Sequence, residues 1–162
     1  MADKEADQAR DQEQTEQPRV AIQKVYLRDA SVEVPDGPDV FTREFNPKLN
    51  VDLNTQAQTL SEESYQVMLT VTVTAQQEEA TVYIVEVQQA AVFHLQNFEH
   101  EAQRAHALGA YCPNMLFPFV RETVADMVQR AGFPQFLLQP VNFDALYQQQ
   151  LQQQNGQDSA SQ

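Results

Sequence analysis

A chain of 162 residues, 42% of them hydrophobic, has room for one domain with a single modest core. Its net charge of −13, from ten Lys and Arg against 23 Asp and Glu, excludes nucleic acid as a natural partner, because phosphate binding needs clustered cations. One cysteine, Cys112, excludes an internal disulfide and fits a reducing compartment, and no apolar run approaches a signal peptide or a membrane span.

Residues 1–17 contain no aromatic and no β-branched aliphatic residue. They cannot bury enough surface to offset the entropy of ordering, so they are predicted to be a disordered acidic tail. Residues 152–162, rich in Gln, are predicted to be a second tail, which leaves residues 18–151 as the folded domain.

The first predicted strand, Val20–Leu27, is apolar on both faces apart from Lys24. A Pro-rich stretch follows, VPDGPDVFTREFNP, in which Pro35, Pro38 and Pro47 forbid regular structure while Phe41 and Phe45 remain apolar. Such a loop either folds over a core or belongs to a binding surface. In the second strand Leu49, Val51 and Leu53 alternate with Asn50, Asp52 and Asn54. In the third, Tyr65, Val67, Leu69, Val71 and Val73 alternate with Gln66 and Thr70, Thr72 and Thr74. A polar turn at Gln76–Glu79 leads into a fourth strand from Thr81 to Leu95. One of its faces holds Tyr83, Val85, Val87, Gln89, Ala91 and Phe93; the other holds Val82, Ile84, Glu86 and Gln88. The last two strands are therefore predicted to form a hairpin in an antiparallel sheet.

The final third reads as helical. Phe119, Val120, Val124, Met127, Val128 and Ala131 recur at helical spacing, and Gly132 with Pro134 ends the run. Residues 133–142 are predicted to be extended, and a short helix follows with Phe143, Leu146, Tyr147 and Leu151 on one stripe. Strands first and helices after give an α+β fold.

No catalytic constellation emerges. Gly37, Gly109, Gly132 and Gly156 are too far apart for a phosphate-cradling loop, so no nucleotide cofactor is expected. In His100-Glu101-Ala102-Gln103-Arg104 the position that a zinc helix gives to a second His is held by Arg104. Cys112 lies between Tyr111 and Pro113 without a basic neighbour, which reads as a buried structural thiol. What remains is apolar material outside the obvious core, on the Phe41–Phe45 loop, the 133–138 connector and the last helix. Together these residues predict an extended groove or a subunit interface.

Two long segments carry a resemblance. LGAYCPNMLFPFVRE, residues 108–122, and FPQFLLQPVNFDALY, residues 133–147, are similar to signatures of the bacterial protein-export chaperone family SecB. EVQQ at 86–89 and LTVTVTA at 69–75 agree with it, and Ala90-Ala91 stands where many members carry Gly-Gly, which stiffens the end of the fourth strand. The resemblance spans about residues 18–151.

The resemblance implies a four-stranded antiparallel sheet with a long helix and a short C-terminal helix packed on it, assembled as a homotetramer, a dimer of dimers. It implies a cytoplasmic, non-enzymatic, ATP-independent chaperone that holds unfolded precursors and passes them to the SecA motor, with no metal and no membrane insertion. It places the polypeptide groove at Phe41, Phe45, Phe143, Leu146 and Tyr147. It places the SecA contact at Asp29, Glu33, Ile84 and Glu86, and an influence on tetramer assembly at Val85, Val87 and Gln89. An assembly scaffold gripping a folded partner is the alternative, and it differs in ignoring unfolded chains.

Overall fold

The computed structural model describes residues 16–160. Strands β1 (Arg19–Glu33), β2 (Lys48–Thr59), β3 (Ser64–Gln77) and β4 (Ala80–Gln96) form one antiparallel sheet in the order β1-β4-β3-β2. The alternation in β3 and β4 fixes its register. Val67 pairs with Ala91, Val71 with Val87 and Val73 with Val85, and all six are fully buried. A slip of one residue would turn this whole row to solvent. The predicted hairpin is present, its turn made by Glu78 at φ 58 and Glu79. Ala90 and Ala91 sit buried within an unbroken β4.

β1 continues past its predicted end at Leu27 to Glu33. Irregularities between Ile22 and Lys24 and between Leu27 and Asp29 shift its alternation twice. Ile22, Val25, Leu27, Ala30 and Val32 therefore share one face, opposite Phe93, Ala91, Gln89, Val87 and Val85. Each bulge inserts a residue and restores the apolar side to the same face.

The helical layer, whose start Pro113 and Pro118 leave open in the sequence, begins at Glu101. α1 (Glu101–His106) passes through one π turn (Ala107–Tyr111) into α2 (Cys112–Arg130). The amide of Cys112 donates to the Ala107 carbonyl, a five-residue bond, immediately before Pro113, which has no N–H to give. Leu116, Val120, Val124 and Val128 form the buried stripe against β3 and β4, whereas Phe119, predicted to lie on that stripe, is exposed. Each such aliphatic side chain contributes ~1.5–3 kcal/mol on burial.

Gly132, at φ 94, ends α2: its N–H donates to the Gln129 carbonyl at 3.0 Å and that of Phe133 to Val128 at 3.2 Å. This paired closure satisfies the last carbonyls and turns the chain back along the sheet. α3 (Phe143–Ala160) is not short and includes residues 152–160, predicted to be a tail. Asn142 accepts the Ala145 amide at 3.0 Å and caps the first turn, and Gln is a good helix former, so the helix extends without burying more apolar surface. Residues 1–15 of the predicted N-terminal tail lie outside the described residues. No helix among the described residues is long and apolar enough to cross a membrane.

Candidate functional site

The Pro-rich loop folds over the hairpin end of the sheet. Its single 3-10 turn, Asp39–Thr42, follows a cis Gly37-Pro38 bond. Gln77, at the end of β3, clamps the loop: its Nε2 donates to the Glu44 carbonyl at 2.8 Å, and its Oε1 accepts the Asn46 amide at 2.8 Å. The rings of Phe41 and Phe45 stack on Phe133 at 5.2 and 5.4 Å, and Phe133 tilts against Tyr83 at 5.0 Å. Phe133 is buried, while Phe41 is 51% and Phe45 39% exposed. Beside them opens a cavity of ≈ 300 Å³ walled by Val40, Phe45 and Val82, with Arg43 and Glu78 among its charged groups.

A second cavity of ≈ 100 Å³ lies between α3 and β2, lined by Leu53, Thr55, Gly109, Leu146 and Tyr147. α3 is anchored by Phe143, buried and edge-on to Phe117 at 5.8 Å. His106 Nε2 meets Asp144 Oδ1 at 2.6 Å, and the His106 ring stands edge-on to Tyr147 at 5.4 Å. The connector before α3 is pinned by Arg121, whose Nε donates to the Leu138 carbonyl at 3.0 Å and whose guanidinium lies 4.8 Å from the Phe117 centroid.

The half-buried row Leu49, Val51 and Leu53 joins the two places along β2, which is an edge strand of the sheet. Of the residues predicted for a groove, Phe41 and Phe45 come together at one end, and Leu146 and Tyr147 at the other. Phe143 is turned inward: it is buried and holds α3 in place, while it also borders the second cavity. Phe133 belongs to the connector that the sequence already assigns to a groove, whereas its burial beneath the two loop rings, and the parts of Gln77 and Gly109, are not predicted. Gly132 before Phe133 is the signal for the chain reversal there, whereas nothing local marks the other two.

The residues Asp29, Glu33, Ile84 and Glu86 all fall on the sheet face away from α2. Glu33 pairs with Ile84, Asp29 with Gln88 and Ser31 with Glu86. Asp29 and Glu33 are exposed; Ile84 and Glu86 are half-buried, and Thr72 Oγ1 donates to Glu86 Oε2 at 3.3 Å. Val85, Val87 and Gln89 face the other way, under α2, with Val85 and Val87 fully buried and Gln89 4% exposed. Gln89 Nε2 donates to the Tyr26 carbonyl at 2.9 Å. None of the three presents a surface to a second copy, so any effect on assembly passes through the subunit core.

Among the described residues no three His, Cys, Asp or Glu side chains gather as a metal site. Arg104 donates to the Phe98 carbonyl at 3.0 Å, and burial pushes the Cys112 thiol up to about 12, which leaves it without a thiolate.

The family profile described as "Preprotein translocase subunit SecB" matches residues 13–154. The chain belongs to the SecB family. A "Protein-export protein SecB" from Alkalilimnicola ehrlichii is 54% identical over 143 residues, covering 87% of this chain and 76% of that one. The protein of the same name from Alcanivorax borkumensis is 52% identical, covering 86% and 90%. SecB is a family of protein-export chaperones, not of enzymes. The fold is also that of a Mycobacterium tuberculosis SecB-like chaperone solved in complex with a peptide from the HigA1 antitoxin, with TM-score 0.60, 18% identity, and 76% of this chain and 91% of that one covered.

Proposed function

We propose that this SecB chain is an ATP-independent cytoplasmic holdase that binds unfolded precursor proteins along β2 and delivers them to SecA. The observation that carries this reading is the half-exposed pair Phe41 and Phe45 on the buried Phe133, continued by Leu49, Val51 and Leu53 towards Leu146 and Tyr147. A folded protein hides the side chains that fit such a surface; an unfolded one offers them. The peptide held by the M. tuberculosis chaperone is consistent with that use. Binding only non-native chain stabilises that state by mass action, so slow folders are held and fast folders escape.

The acidic outer face of Asp29, Glu33, Ile84 and Glu86 is the SecA contact in this reading. Charge there steers a basic partner while the groove stays free on the other face. Homotetramer assembly, as a dimer of dimers, is supported by apolar surface left uncovered in one subunit. Ile22, Leu27 and Val32 line the β1 edge, and Tyr111 and Phe119 project from the helical layer. The test is refolding of a slow-folding reduced precursor without nucleotide. An equimolar amount of the tetramer should arrest refolding and release competent chain to SecA. Refolding at the unassisted rate would exclude the holdase role.

A further inference from the structure

Residues 43–47, between the 3-10 turn and β2, lie outside every helix and strand, yet Phe45 among them is stacked on Phe133. The backbone bonds of the Pro-rich loop all fall earlier: the amides of Gly37, Val40 and Phe41 donate to the carbonyls of Val34, Asp36 and Pro38. What ties the later part to the sheet is one side chain. Gln77 Nε2 donates to the Glu44 carbonyl and Gln77 Oε1 accepts the Asn46 amide, both at 2.8 Å, so the carboxamide grips the residues on either side of Phe45. Among the described residues no other hydrogen bond joins residues 43–47 to the sheet. The pattern is that of a parallel bridge centred on Phe45, with a carboxamide in place of a backbone peptide. Gln77 itself is anchored by its own pairing with Ala80 across the hairpin.

We propose that Gln77 is a positioning residue for client binding: it orders residues 43–47 before a client arrives and so holds the Phe45 ring ready at the groove. The inference rests on the groove reading and deepens it. Both polar ends of the Gln77 carboxamide are engaged by the loop, so its influence on a client passes through Phe45. The stack of Phe45 on Phe133, 5.4 Å between centroids, is an apolar contact that a free loop could make in many ways, whereas two directional bonds admit one. Without the clamp a client must order the segment as it binds, and that entropy is lost from affinity. Phe41 does not depend on Gln77. Its amide bonds to Pro38, and its ring covers Gly132 so closely that a Cβ there would stand 3.0 Å from Cε1. The clamp therefore acts on one ring of the pair and leaves the other as an internal control.

The test is a double-mutant cycle read as affinity for a reduced, carboxymethylated protein that cannot refold, with amide hydrogen exchange of residues 43–46 beside it. Gln77→Leu should weaken binding about fivefold and speed exchange of the Asn46 amide about tenfold. In a Phe45→Ala background the same substitution should weaken binding no further, because no ring is left to position. In a Phe41→Ala background it should show its full effect. Gln77→Glu keeps the acceptor for the Asn46 amide but loses the donor to Glu44, and should fall between wild type and Gln77→Leu. Should Gln77→Leu not fold, Gln77→Asn, one methylene too short to reach both partners, must give the same cycle. An equal loss in the wild-type and Phe45→Ala backgrounds overturns the inference, since Gln77 would then act on the fold or on the client directly. So does an unchanged affinity in Gln77→Leu, or an Asn46 amide that exchanges as slowly as in wild type. Each of these leaves the groove standing, provided that Phe45→Ala alone weakens binding. If Phe45→Ala binds the client as wild type does, the groove reading fails and this inference with it.

Discussion

The ring of Phe41 lies parallel on that of Phe133, 5.2 Å between centroids and 26° between planes, one half-exposed and the other buried. The division of labour between these residues is testable. Phe133→Ala removes a ring packed between Tyr83 and the loop and should cost ~3–5 kcal/mol of stability. Phe41→Ala should cost below ~1 kcal/mol, yet weaken unfolded-client binding by about tenfold, as loss of an interface anchor does. Denaturant melts and a client titration on the two variants give both numbers.

Leu146 makes the corresponding case at the other end of β2. It is 37% exposed on the cavity rim, whereas Phe143 beneath it is buried. Leu146→Ala should lower client affinity severalfold with little change in stability. Phe143→Ala should instead destabilise by ~3–5 kcal/mol and loosen α3. Thermal melts that rank the two variants the other way would place the groove wall elsewhere.

Charge reversal at Glu86 separates the two faces of the sheet. Glu86→Lys breaks the hydrogen bond from Thr72 and inverts the field between Asp29 and Glu33 without touching the groove side. Association with SecA should slow and lose its salt dependence, while client binding stays at the wild-type level. Equal SecA association rates for both proteins would remove Glu86 from that contact.

Cys112 supplies a pH prediction. Its thiol is buried and held up to about 12, against ~8.5 in an unfolded chain. The folded state keeps the proton that the unfolded state gives up. The contribution is therefore fully present below pH ~8.5 and is lost as pH rises towards 12, by about 1.4 kcal/mol per unit. Native protein at pH 8 should resist a thiol reagent that labels the unfolded chain completely. Above pH 9, Cys112→Ala should show a shallower loss of stability than wild type.

How far the sequence shows this structure depends on whether a pattern is local. β3 and β4 are legible because a single uninterrupted alternation runs through each. β1 is legible only as far as its second bulge, since the apolar spacing 22, 25, 27, 30, 32 fits neither a strand nor a helix. The start of the helical layer is masked by Pro113 and Pro118, which the π turn and the continuing helix accommodate. Phe41 and Phe45 stand out as apolar residues on a loop. Their partner Phe133 is chosen by the Gly132 reversal, a three-dimensional event. Gly109 leaves no trace in sequence, because what matters there is the absence of a side chain under Tyr147.

The central claim is that the aromatic end of the groove holds unfolded chain, and one titration tests it most directly. A single client protein is presented to wild type and to the Phe41→Ala, Phe45→Ala double variant, once reduced and unfolded and once folded. Wild type should bind the unfolded form and ignore the folded one, and the double variant should lose at least tenfold in affinity for the unfolded form while remaining assembled. Equal binding of the folded and unfolded forms, or an undiminished affinity in the double variant, would contradict the account.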